Sequence, residues 1–130
     1  MLRVKTTIKE SAVHGIGLFA AEPIAKGVVT WEFDPEFDSA FTEAQVERMP
    51  EHARAIFLKY AYWDKVIGKY VLCSDDQRFI NHATRDFNIQ STPNQDVAAA
   101  DIAIGEELLC NYNDYDDTYF ERSKENHLLT

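Results

Sequence analysis

The sequence predicts a mostly-β domain with a small helical insert. Short alternating or β-branched segments recur along the chain, each closed by glycine, proline or a polar turn. One stretch, from Thr42 to Leu58, departs from that rhythm with a capping-box pattern and apolar residues at helical spacing. Many short strands around one helical piece fit a mostly-β architecture.

Residues 2–9 alternate Leu2, Val4, Thr6 and Ile8 with polar neighbours, which predicts a first strand. Ser11 to Gly17 reads as a loop, Leu18 to Ala21 as a short strand, and Pro23 to Gly27 as a turn. Val28 to Phe33 is β-branched and aromatic, a further strand. Residues 34–41 show no period. Thr42 followed by Gln45 predicts a helix start, Pro50 interrupts it, and Ala53, Ile56 and Phe57 resume helical spacing. Tyr60–Trp63 and Lys69–Cys73 flank a polar turn and read as a hairpin. Strands are expected near Phe87–Gln90, Asp96–Ala103 and Leu108–Tyr112, then a helical tail from Tyr115 through Arg122.

Length, charge and composition bound the function. At 130 residues the chain has the length of one domain, 1–130, able to bury its own core. No apolar run approaches the ~18 residues that a membrane helix needs, and no signal-peptide stretch opens the chain. Cys73 and Cys110 are isolated, which excludes a multi-thiol zinc cluster, so no metal is expected. Two lone thiols fit an intracellular setting. A net charge of −9 without a basic stripe argues against nucleic-acid binding and suits a basic peptide partner.

Three segments carry chemistry together: Gly15-Ile16-Gly17, Arg78-Phe79-Ile80-Asn81-His82, and Gly105-Glu106-Glu107-Leu108 followed by Tyr112. The two glycines permit close backbone approach to a ligand. They are no dinucleotide fingerprint, because no third glycine or helix follows. Asn81 and His82 are polar side chains beside an apolar run, and such groups need partners. Tyr112 places a phenol at a chain bend.

In this order and spacing the three segments resemble the signature of the SET-domain protein-lysine methyltransferases, from about Val4 to Tyr115. The likeness implies the SET fold, a β-clip of short sheets with a knot-like C-terminal crossing. Residues 36–59 would be its variable helical insert and 116–130 its C-terminal tail. It also implies S-adenosyl-L-methionine as cofactor, held by Gly15, Ile16, Gly17, Tyr60, Asn81, His82 and Tyr112. Tyr112 would be the catalytic residue, aligning a lysine amine with the donor methyl. Phe33, Tyr62, Cys110 and Tyr115 would line the substrate channel. Cys110 stands where the family usually has Phe or Tyr, which suggests room for di- or trimethylation. Ala83 replaces the family's usual Ser, and Asn88 follows Phe87 rather than Pro; Asn88 reads as structural.

Methyl transfer to an amine is an in-line displacement, so positioning alone can contribute roughly 7–11 kcal/mol. The amine must be neutral. Deprotonating a free lysine at pH 7 costs roughly 4.6 kcal/mol, and an apolar channel reduces that cost. No dedicated base is assigned, and Arg78 reads as a structural cation paired with a carboxylate. Asp114, Asp116 and Asp117 read as a solvated acidic bend facing a basic substrate. The chain lacks the cysteine-rich zinc segments of many relatives, so Tyr115, Tyr119, Phe120 or a partner subunit would close the channel. Exposed tail aromatics are compatible with a homodimer. The competing expectation is a SET-like module that binds a basic peptide without turnover.

Overall fold

The structure, a computed structural model, describes residues 1–125; the end of the expected tail, 126–130, lies outside the described residues. Strands β1 (Thr6–Glu10) and β2 (Ile16–Ala20) form an antiparallel pair, Thr6 opposite Ala20. The expected strand from Leu2 does not form as one piece: Leu2 bridges to Trp31, while β1 turns away to pair with β2.

The central sheet has five strands in the order β3-β9-β8-β10-β7. These are β3 (Val29–Glu32), β7 (Asn81–His82), β8 (Ile89–Thr92), β9 (Gln95–Ala98) and β10 (Leu109–Cys110). Strand β10 lies between β7 and β8, parallel to both. The C-terminal segment therefore passes between two strands that precede it, a threading that short-range sequence patterns do not encode. Asn88 secures it: its amide donates to the Glu107 carbonyl at 2.8 Å and accepts from the Leu109 N–H at 2.8 Å.

Between β3 and β7 lie β4 (Ser39–Phe41), α1 (Glu43–Glu47), α2 (Glu51–Tyr60), β5 (Tyr62–Asp64) and β6 (Lys69–Leu72), a region that takes in residues 39–59 of the expected insert and runs beyond it. Its strands form a sheet in the order β4-β6-β5. The capping box forms, with the Gln45 N–H donating to Thr42 Oγ1 at 3.1 Å and the Thr42 N–H to Gln45 Oε1 at 2.8 Å. Pro50 stands just before α2 and makes no side-chain capping bond; having no N–H, it loses no helical hydrogen bond there. Residues 39–41, where no period was legible, form an edge strand on β6.

Leu18, Ile89, Leu108 and Cys110 anchor the main core. A second cluster joins Trp31, Tyr62, Val71 and Cys73. Strand β9 stops at Ala98, short of the expected Ala103, and β10 ends at Cys110. Tyr112 opens a 3-10 turn, Tyr112–Asp114, and the tail helix α3 spans Tyr119–Glu125.

Candidate functional site

Two cavities share a wall at Tyr112. The aromatic cavity, about 490 Å³ of space open to solvent, is lined by Trp31, Tyr62, Pro93, Asp96 and Tyr115 among others. The glycine-loop cavity, about 420 Å³, is lined by His14, Gly15, Ile16, Phe79 and Asn81. Lys59, Tyr60, Arg78, Ile80, Tyr112 and Tyr119 line both.

The glycine-loop cavity is built from the inside out. Gly15 has φ of +47°, a conformation that suits a residue without Cβ. Gly17 is tighter: a Cβ there would lie 2.4 Å from Glu107 Oε2 and 3.0 Å from Ser11 Cβ. Glu107 is pinned by the Ser11 hydroxyl, which donates at 2.8 Å, and by Asn81 Nδ2 at 3.0 Å. Asn81 Nδ2 also reaches the His14 carbonyl at 2.9 Å and the Ile16 carbonyl at 3.2 Å. One amide thus ties the loop to the segment that follows Gly105-Glu106. Gly17 itself lines neither cavity; it makes room for the clasp beneath.

Tyr112 is held at three points. Its hydroxyl donates to the Ile80 carbonyl at 2.5 Å, and its N–H donates to His82 Nδ1 at 3.1 Å. Its ring packs edge-on against Tyr119 with centroids 4.9 Å apart. Burial pushes the phenol well above its ordinary pKa, so it stays protonated near neutrality. His82 lines neither cavity. Accepting at Nδ1 leaves it neutral with its other nitrogen protonated, and burial lowers its pKa, opposed by Asp114. Its ring contacts Tyr112 and Phe120 at 5.1 and 4.7 Å between centroids.

The aromatic cavity brings Tyr62, Tyr112 and Tyr115 together, with Tyr115 edge-on to Tyr62 at 5.4 Å and to Tyr112 at 5.9 Å. The Tyr62 hydroxyl donates to the Pro93 carbonyl at 2.8 Å, which fixes its ring in the wall. Tyr60 and Tyr62 were expected to alternate on one strand; Tyr60 instead ends α2 and Tyr62 opens β5, yet both line this cavity. Phe33 lines neither cavity and packs at the edge of the Trp31 cluster. Cys110 also lines neither: at 0% exposure it sits in the core with Ile89 and Leu108, because its position in β10 points inward. The extra channel room expected from Cys110 finds no support in that placement.

The acidic bend is not solvated throughout. Asp116 is 2% exposed, pairs with Arg122 Nη1 at 3.0 Å, and accepts from the Trp63 N–H at 2.8 Å and the Thr118 N–H at 3.0 Å. It fastens the segment after Tyr112 to β5, and the Tyr119 hydroxyl fastens it to the end of α2 by donating to the Lys59 carbonyl at 3.0 Å. Arg78 meets no carboxylate at ion-pair distance among the described residues; its Nε donates to the Cys73 carbonyl at 3.1 Å. Residue type did not single out Asp96, a carboxylate in the aromatic wall. The signal available was its inward parity with Ala98 on β9.

Among the described residues no His, Cys, Asp and Glu group could hold a metal ion, and no helix is long and apolar enough to cross a membrane. The family model "SET domain" matches residues 15–113. Among solved structures, an active polycomb repressive complex 2 in the basal state matches at 29% identity and TM-score 0.64, covering 85% of this chain and 15% of that one. A humanized mutant of the Chaetomium thermophilum Polycomb Repressive Complex 2 bound to an inhibitor matches at 26% and 0.64, covering 86% and 15%. The fold is also that of ctPRC2 in an autoinhibited conformation bound to S-adenosylmethionine, at 24% identity and TM-score 0.64, covering 93% and 17%. The chain therefore spans only about a sixth of the length of the chains it matches. No curated protein matches it.

Proposed function

This chain belongs to the SET-domain family, and we propose that it transfers a methyl group from S-adenosylmethionine to a lysine of a basic protein substrate. SET domains generally are lysine methyltransferases that bind this cofactor. The observation that carries the reading is Tyr112, which lines both the glycine-loop cavity and the aromatic cavity. A reaction joining two reactants end to end needs two sites with a common wall, and a positioning group on that wall.

The residues fit the cofactor. Gly17, where a side chain would collide with Glu107, leaves the loop backbone seated on its clasp. Gly15, Ile16, Tyr60, Asn81 and Tyr112 would hold it, and His82 would support them through its contact with the Tyr112 N–H. When bound, S-adenosylmethionine supplies a methyl group on an electron-poor sulfonium. Tyr62, Tyr112, Tyr115 and Tyr119 would exclude water from the amine and restrict its approach. Asp116 and Tyr119 fasten the segment after Tyr112 to Trp63 and Lys59, and so hold it beside this cavity.

The net charge of −9 favours a cationic substrate, with core histones and ribosomal proteins as first candidates. A radiolabelled-methyl assay on both, comparing the natural chain with Tyr112→Phe, tests the reading. Transfer that Tyr112→Phe cuts about 100-fold supports it. Calorimetric cofactor binding with no transfer to either protein set, or to a whole-cell lysate, would instead mark a binding module.

A further inference from the structure

Asp96 is a carboxylate in a wall of tyrosines. It is 3% exposed, and its Oδ2 accepts from Gln77 Nε2 at 2.6 Å. No cation pairs with it among the described residues. A buried charge without a counter-ion is costly, so this position invites a cation or a proton.

Every element packed around Asp96 contributes a defined group. Trp31 faces it from β3 and Ser91 from β8. Tyr62 of β5, Cys73 beyond β6, Cys110 of β10 and Tyr115 all feel its charge. Burial pushes those four groups up, so they remain neutral near pH 7. Lys59 and Arg78 are the cations on the same cavity. Burial raises Asp96 itself to about 6, opposed by Ser91 and Gln77. It thus changes charge nearer to neutrality than an ordinary carboxylate does.

We propose that Asp96 receives the ammonium of the incoming lysine in the aromatic cavity and takes its proton, leaving a neutral amine for methylation. The inference rests on reading this cavity as the lysine channel. In the step one ammonium N–H bond breaks and one carboxyl O–H bond forms, while the nitrogen keeps the electron pair. The proton passes to water when the product leaves. Two neutral groups are cheaper than an ion pair in a poorly solvated cavity, which favours the transfer once the channel has closed.

The test compares natural enzyme, Asp96→Asn and Asp96→Glu in methyl transfer to a core-histone mixture between pH 6 and 10. Asp96→Asn is expected to lose about 100-fold in kcat/KM near pH 7 and to recover as the pH approaches that of free lysine. Asp96→Glu should keep the natural pH profile at a lower rate. An Asn variant that binds S-adenosylmethionine normally and keeps the natural rate and profile overturns the proposal alone. A natural enzyme that methylates nothing overturns the lysine-channel reading and takes the proposal with it. Carboxyl-carbon NMR of the natural protein removes dependence on variant folding. With a basic peptide carrying lysine the Asp96 carboxyl should stay protonated to higher pH than with the same peptide carrying norleucine, and an equal or lowered titration overturns the proposal.

Discussion

The side-chain amide of Asn81 donates to the carboxylate of Glu107 at 3.0 Å, directly beneath Gly17 where the glycine loop enters β2. These residues lie 26 positions apart, yet together they set the height of the loop backbone. Glu107→Ala would strand the Asn81 and Ser11 donors, and Gly17→Ala would push the carboxylate off them. Each is expected to weaken S-adenosylmethionine binding about tenfold, roughly 1.4 kcal/mol, in calorimetry.

Tyr112→Phe removes a hydroxyl without changing ring packing. Loss of the bond to the Ile80 carbonyl should cost about 1 kcal/mol in denaturant unfolding. Methyl transfer should fall far more, about 100-fold, because misplacing a reactant by an ångström has that scale of effect. Cofactor affinity should change little. A parallel fall in affinity and turnover would count against a positioning role.

Asp96 also links stability to pH. Its folded-state pKa of about 6 lies above the ordinary 3.8, so the folded state holds the proton more tightly than the unfolded chain. Its favourable contribution is fully present below pH 3.8 and is lost as pH rises through about 6. Asp96→Asn removes this dependence. Relative to the natural protein, the variant should gain stability between pH 4 and pH 7, by roughly 3 kcal/mol at most. Thermal melts at matched ionic strength check it; a constant difference across that range would contradict it.

Arg122→Ala would leave Asp116 buried without its cation. Breaking such a pair costs roughly 3–5 kcal/mol when it is fully enclosed. Arg122 retains 12% side-chain exposure, so the lower end is expected. Because Asp116 also holds the Trp63 N–H, the segment after Tyr112 should loosen from β5, and hydrogen exchange at Trp63 should quicken.

Local chemistry made several features legible in the residues. The Thr42–Gln45 capping box and the hairpin about residues 64–68 each depend on neighbours a few positions apart, and each formed. The loop expected over Ser11–Gly17 is shorter, because Ile16 and Gly17 already pair with β1 as the start of β2. Boundaries were less legible. Tyr60 sits on a helix rather than a strand because α2 runs on until Ala61 adopts extended backbone. The edge strand at 39–41 carries no period of its own; it exists because β6 offers it a partner.

What the chain alone determined was a mostly-β domain carrying the three SET segments, since alternation, turn residues and motif spacing are written in sequence order. Only the tertiary structure decided which residues face which cavity. Cys110 turned into the core, Asp116 became a buried anchor, and Asp96 joined the aromatic wall. The reason is physical: side-chain direction in a strand has a period of two, so a side chain's face follows from register with distant strands. Threading β10 between β7 and β8 sets that register, through contacts far apart in the chain.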